Sequence, residues 1–391
     1  MAGSGGGGAA RRLTAVPAAG LTSADVRAAL DGERPLAVLP AGPPAVVDAA
    51  RAVLRPGEPL EPGADLVVVT SGSTGGGRGV LLSADAVHAS AAATHDRLGG
   101  PGSWLLALPV SAVAGLQVLC RSALAGRPVT RLEVGEPLAA ALDRMPGDGR
   151  RYTSMVPTQL RRFLDAEPGA LSAFDAVLVG GAAADPALLT RARAAGVTVV
   201  TTYGMTETAG GCVYDGVPLD GVGVRVTATG PAGPGGGHVE LAGPTLALGY
   251  RGDPAGTAAA FADGWFRTRD AGTLDAAGRL TVHGRLDDVV ISGGVNVAPA
   301  AVEAALREHP DVADAVVFGR PDAEWGQRVV AAVVPSPGAM PELAVLRPWV
   351  GERLGVPAAP RELHVIAAVP TLHTGKPDRR GVAASIPQGA H

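Results

Sequence analysis

Four clusters of residues in this chain could do chemistry. In the first, Thr70, Ser71, Gly72, Ser73, Thr74 and Gly75, continuing through Gly76, Gly77, Arg78 and Gly79, directly follow an apolar, β-branched run. Glycines let consecutive backbone N–H groups turn toward an anion, and the hydroxyls add donors, so a triphosphate is the natural guest. Taken alone, such a run is better explained as a Gly-rich surface loop; its place directly against a buried strand favours an anion site. It is not a Walker A loop, because the frame from Gly72 to Gly77 is followed by Arg78 and Gly79 where Lys and Ser/Thr would be needed.

The second cluster, Thr201, Thr202, Tyr203, Gly204, Met205, Thr206, Glu207 and Thr208, also follows an apolar run. Its single carboxylate, Glu207, could hold Mg²⁺ against phosphate, because Mg²⁺ takes one or two carboxylates and leaves its other positions to phosphate and water. A capping box that opens a helix is the competing reading. In the third, Gly284, Arg285, Leu286, Asp287 and Asp288 precede a Ser-Gly-Gly-Val-Asn-Val-Ala-Pro stretch at 292–299 and Glu303, with Asp270 upstream. Carboxylates and an arginine of this kind suit a ribose. The fourth is Thr374, Gly375 and Lys376, holding the only lysine among 33 basic residues. A compact ammonium fits where a planar guanidinium does not, although codon drift leaving one arbitrary survivor would give the same count.

The elements that must position these clusters are legible in outline. With 391 residues, the chain exceeds one ordinary core and implies two domains. Strands are expected at 66–70, 104–108, 152–155, 176–179 and 197–201, alternating with helical stretches such as 84–98 and 186–195. That order predicts an α/β fold, with a mostly parallel, helix-flanked sheet. From about 222 to 282 shorter, Gly-punctuated strands suggest a small β subdomain, and beyond the 285–288 junction a compact α+β unit runs to the end. The expected division is a disordered Gly/Ala-rich tail at 1–14, a large domain at 15–286 and a small one at 287–391.

Composition excludes several classes. Hydrophobic residues make up 47% and aromatics only 3%, so Ala, Val and Leu must build the core. A net charge of −4 with both signs dispersed shows no basic stripe for nucleic acid. Residues 104–120 carry no charge, yet Pro109, Ser111, Gly115 and Gln117 make a buried strand and helix start the better reading than a membrane span. No compact apolar stretch follows Arg11 and Arg12, so no signal peptide is read there. Cys120 and Cys212 form no C-x-x-C pair, which fits a reduced, cytoplasmic protein. Pairing into a homodimer is left open.

Taken together, Thr-Ser-Gly-Ser-Thr-Gly, Tyr-Gly-Met-Thr-Glu, Thr-x-Asp, Gly-Arg-x-Asp-Asp, Gly-Gly-x-Asn-Val-x-Pro and Thr-Gly-Lys occur in an order that resembles the acyl-adenylate-forming superfamily. This superfamily takes in acyl- and aryl-CoA ligases, luciferases and peptide-synthetase adenylation domains. The likeness spans about 65–380 and implies an acid–thiol ligase that uses ATP and CoA with Mg²⁺. By that resemblance Thr70, Ser71, Gly72, Ser73, Thr74, Gly75 and Arg78 would close over the β- and γ-phosphates. Gly180, Gly181, Ala182, Tyr203, Gly204 and Met205 would surround the adenine, and Asp270 and Arg285 would hold the ribose. Glu207, beside Thr206, would bind Mg²⁺. Asp287 would be the hinge about which the C-terminal domain rotates, and Lys376 would reach the α-phosphate. Three positions depart from the pattern: Arg78 stands for the usual Lys, Gly77 for Pro and Ala112 for a frequent His.

Peptide-synthetase domains carry an Asp near 108–116 to meet an amine, and none occurs there. The segments at 149–160 and 211–219 are similar to short bacterial o-succinylbenzoate–CoA ligases of menaquinone biosynthesis. Gln117 and Arg121 share a helix face at i, i+4, and a buried Arg would need an anion, such as the carboxylate that o-succinylbenzoate keeps after activation. A solvated face carrying a snorkelling Arg121 is the alternative. Ser154 and Cys212 are further candidates for the acyl pocket. Two other functions stay open: the same chemistry on an aryl or medium-chain acid, and a silent nucleotide-binding regulator, against which the presence of Lys376 and Glu207 argues.

Overall fold

A computed structural model describes residues 11–70, 77–227, 237–370 and 378–387. Its largest sheet has seven strands in the order Val217–Pro218, Gly210–Tyr214, Val199–Met205, Ala176–Val179, Arg150–Met155, Gly102–Leu106 and Val129–Arg131. The last five of these run parallel. Their residues are largely buried on both faces, as the near-continuous apolar runs required. A second sheet combines parallel strands Thr14–Pro17, Leu36–Leu39 and Leu66–Thr70 with antiparallel Arg78–Leu82 and Gly249–Tyr250.

Helices Ala84–Arg97 and Val113–Leu124 pack against one another between these sheets. The first begins where the Ser83 side chain accepts from the Ala86 N–H, with Asp85 in the opening turn, a cap worth about 1 kcal/mol. The second is buried along nearly its whole length, from Gly115 to Ala123, as befits a central helix. Gly115 permits this closeness: a Cβ there would lie 2.2 Å from the Pro109 carbonyl oxygen. The core around them holds Trp104 and Tyr152, fully buried with ring centroids 5.0 Å apart. Alanine, valine and leucine fill most of the remainder.

An antiparallel sheet of Gly223–Thr227, Gly237–Ala242, Trp265–Leu274, Phe261–Ala262 and Leu280–Arg285 forms the expected small β unit. The fourth sheet is built wholly from residues beyond 289. It contains Val290–Ser292, Val295–Val297, Val312–Asp322, Gly326–Pro335 and Glu362–Val365, with Pro299–Arg307 and Leu343–Leu354 closing its core. Among the described residues no helix is long and apolar enough to cross a membrane.

The structure differs from expectation in two places. Residues 11–14, assigned to the tail, are tied down: Arg11 pairs with Asp65 at 2.7 Å, Leu13 is buried, and Thr14 opens a strand. Composition hid this because the partners are some 50 residues away. The tail at 1–10 lies outside the described residues. The 197–201 strand also starts later and continues to Met205, so the second chemical cluster is itself strand followed by a single 3₁₀ turn, Thr206–Thr208. The capping-box helix does not form.

Candidate active site

The end of Leu66–Thr70 and the start of Arg78–Leu82 pair in register, Thr70 opposite Arg78, so the two ends of the Gly-rich run are held side by side. Ser71, Gly72, Ser73, Thr74 and Gly75 lie outside the described residues. So does Lys376. Its flanks are fixed: the Asp378 N–H donates to the Pro370 carbonyl at 2.8 Å. Arg379 reaches Asp288 at 2.6 Å and Glu303 at 2.7 Å.

Thr70 and Arg78 open onto a cleft of about 550 Å³, within the size range of small-molecule sites. Gly180, Gly181, Gly204, Met205, Thr206, Glu207 and Arg285 line the same cleft. Gly180 and Gly204 are there for space. A Cβ on Gly180 would meet the Thr202 hydroxyl at 2.2 Å, and one on Gly204 would meet the Gly210 carbonyl at the same distance. After Thr206–Thr208, Ala209 turns left-handed at φ 50. The Thr208 hydroxyl locks this turn, accepting from the Met205 N–H at 3.0 Å and donating to the Gly210 carbonyl at 2.7 Å.

Ala182, Tyr203, Asp270 and Asp287 are not among the residues lining the cleft. Tyr203 instead donates to Asp270 Oδ2 at 2.7 Å. Burial, reinforced by the Asp270 charge, raises its pKa and keeps it protonated. Arg285 lies 3.8 Å from Asp270 and 3.1 Å from Asp287, whose carboxylate also meets Arg269 at 3.1 Å. Burial would raise the pKa of Asp287, but the hydrogen bond from Arg269 and the charge of Arg285 outweigh it and hold the group below the usual carboxylate value.

The other end of the cleft is apolar, formed by Leu108, Pro109, Ala112, Val113 and Ala114, with Gln117, Arg121 and Ser154 beneath. Arg121 is 3% exposed, so the snorkelling alternative is excluded. Its guanidinium lies 5.0 Å from the Trp104 ring centroid, and one nitrogen is 3.5 Å from the Tyr214 hydroxyl. Gln117 donates to the Ala209 carbonyl at 2.6 Å. Two buried polar atoms there, Arg121 Nε and Gln117 Oε1, have no hydrogen-bond partner among the described residues. Behind them His95 accepts from Trp104 Nε1 at 3.3 Å, and burial together with the Arg121 charge pushes its pKa down to about 4.

Cys212 is corrected. Its side chain is fully buried with Val213, Val239, Leu241 and Leu280 and does not line the cleft, because a β-bulge between Gly211 and Val213 breaks the alternation that would place it on the same face as Tyr214. Cys120 is also free and buried, and burial pushes both thiols up to about 12. The sequence reading missed Tyr250, which lines the cleft and donates to Glu207 Oε1 at 3.1 Å. A lone aromatic in a Gly-rich stretch offered no motif. Only the pairing of Gly249–Tyr250 with Arg78–Leu82 brings it in.

The donor set suits one kind of metal. Among the described residues no three His, Cys, Asp or Glu side chains gather as a metal cage. A single carboxylate, Glu207, lines the cleft together with Thr206 and Thr70, which fits Mg²⁺ and not a cation that needs an all-protein shell.

Residues 23–250 match the family of AMP-binding enzymes, and residues 301–376 match the AMP-binding enzyme C-terminal domain. The chain belongs to the AMP-binding enzyme family. It is an AMP-forming acid–CoA ligase. It is 50% identical over 336 residues to a "probable 2-succinylbenzoate–CoA ligase" of Mycobacterium tuberculosis, covering 83% of this chain and 85% of that one. It also resembles o-succinylbenzoate CoA synthetase of Bacillus subtilis in complex with the acyl-adenylate intermediate. There the TM-score is 0.76 and identity 25%, over 97% of this chain and 84% of that one. The same Bacillus subtilis enzyme with ATP and magnesium ion matches at TM-score 0.73 and 25% identity, covering 93% and 82%.

Proposed function

We propose that this chain joins 2-succinylbenzoate (o-succinylbenzoate) to CoA in two half-reactions at the one cleft. In the first, an oxygen of the succinyl carboxylate attacks the α-phosphorus of ATP and pyrophosphate leaves. In the second, the CoA thiolate attacks the acyl carbonyl and AMP leaves.

The observation that carries the choice of acid is the buried Arg121, whose Nε–H has no acceptor among the described residues. A buried cation without an anion is costly, and a substrate bringing a second carboxylate removes that cost. The ring carboxylate of 2-succinylbenzoate survives activation of the succinyl arm, and the apolar wall from Leu108 to Ala114 suits the ring. Ser154 completes this end.

At the other end Thr70, the loop residues 71–75 and Arg78 take the β- and γ-phosphates. Gly180, Gly181 and Gly204 admit the flat adenine close to the backbone, and Arg285 with Asp270 takes the ribose. Glu207, assisted by Thr206, would hold Mg²⁺, which when bound offsets phosphate charge. Attack by one anion on another demands fixed positive charge where the phosphorane develops. Lys376 supplies it in adenylation, and a swing of the domain from 287 onward about Asp287 withdraws it for the second half-reaction. Two buried, unpaired thiols fit work in the reducing cytoplasm.

A coupled assay with 2-succinylbenzoate, ATP and CoA, run on wild type and Lys376→Ala, tests this reading. The variant should lose pyrophosphate release from ATP yet still convert preformed acyl-adenylate to thioester and AMP. Strong pyrophosphate exchange with benzoate or octanoate and none with 2-succinylbenzoate would overturn the choice of acid.

A further inference from the structure

Tyr250 is held between the two ends of the phosphate site by strand pairing. It lies opposite Val80 in the antiparallel register, so Arg78, two residues along, is its diagonal neighbour on the same face. The Arg78 guanidinium carbon sits 4.8 Å from the Tyr250 ring centroid. From the same ring the hydroxyl donates to Glu207 Oε1 at 3.1 Å. The Ala247 N–H, three residues earlier, donates to the Glu207 carbonyl at 2.8 Å, so backbone and side chain of one segment both grip Glu207. The ring is 5% exposed and meets Phe261 edge-on at 5.8 Å.

We propose that Tyr250 is a positioning residue: its hydroxyl fixes the Glu207 carboxylate for the metal, and its ring aims Arg78 at the triphosphate. This rests on the metal and phosphate roles proposed above. The arrangement also accounts for arginine where relatives use lysine. A planar guanidinium stacks on an aromatic face and an ammonium does so less well. Arg78 and Tyr250 therefore act as one unit.

Two variants separate the two roles. Tyr250→Phe keeps the ring, its packing on Phe261 and the Arg78 stack, and deletes only the donor. Binding of Mn²⁺ by the protein with α,β-methylene-ATP, followed by electron spin resonance of the free ion, should weaken three- to tenfold, and the Mg²⁺ needed for half-maximal pyrophosphate exchange should rise by the same factor. Arg78→Lys keeps the charge and loses the stack; nucleotide affinity should fall about fivefold, with Mn²⁺ affinity held within twofold. Wild-type Mn²⁺ affinity in Tyr250→Phe overturns the first role, and wild-type nucleotide affinity in Arg78→Lys overturns the second. Glu207→Gln is the control for the underlying reading. If it too leaves Mn²⁺ affinity unchanged, Glu207 is not the metal ligand. If it alone weakens binding, Glu207 holds the metal without help from Tyr250.

Discussion

Replacing Arg121 with methionine should stabilise the protein while abolishing its preference for a diacid. The guanidinium is 3% exposed, and its Nε has no partner among the described residues. What compensates it is the Trp104 ring at 5.0 Å and a Tyr214 contact at the 3.5 Å limit of a hydrogen bond. The ring is worth roughly 0.5–2 kcal/mol, against an effective desolvation cost of several kcal/mol for a buried ion. Methionine keeps the apolar stem, so Arg121→Met should gain about 1–3 kcal/mol, a rise in Tm of roughly 2–5 °C at just under ~2 °C per kcal/mol for a domain of this size. Losing one partner of a buried charge pair costs about 2–5 kcal/mol in binding. Near the middle of that range, kcat/KM for 2-succinylbenzoate falls roughly 300-fold. The assay is pyrophosphate exchange with 2-succinylbenzoate and with its analogue lacking the ring carboxylate, alongside thermal unfolding. The variant should use the two acids with similar kcat/KM. Equal loss for both acids, or a fall in Tm of more than a few degrees, would refute the reasoning.

Further outcomes are expected elsewhere. His95 is neutral in the fold, its pKa pushed from 6.5 to about 4, so the unfolded chain binds its proton first as pH falls. Stability from this group is complete above about 6.5, declines between there and about 4, and is then level; His95→Gln should flatten that stretch of a plot of urea midpoint against pH. Gly115→Ala places a Cβ 2.2 Å from the Pro109 carbonyl and should cost about 1–3 kcal/mol. It should also raise KM for the acid more than for ATP, because 108–114 walls only the acyl end. Lys376→Ala should uncouple the half-reactions, read as lost pyrophosphate exchange with retained thioester formation from acyl-adenylate.

Much of this architecture was legible because local and global signals agree. The strand at 176–179 is apolar on both faces and is buried on both between parallel neighbours. The structure shows Ser83 and Asp185 capping the helices that follow them, signals the sequence reading did not use. Gly180 and Gly204 were placed through the family resemblance, and the structure adds the physical reason, that a Cβ at either position has no room. What was hidden depends on pairing across distance. Tyr250 belongs to a two-residue strand whose partner lies about 170 residues earlier, and Arg11 finds Asp65 across a similar break in locality. Cys212 was misplaced because one step along a strand reverses the face a side chain takes, and a β-bulge between Gly211 and Val213 disturbs the count.

The two deeply buried cysteines bear on chemoselectivity. An enzyme that generates a mixed anhydride and then awaits a soluble sulfur nucleophile is exposed to self-acylation by any thiolate of its own. With both thiols enclosed and their ionisation displaced to about 12, neither sulfur competes with CoA for the activated acyl group, and alkylating reagents should leave the folded protein unmodified.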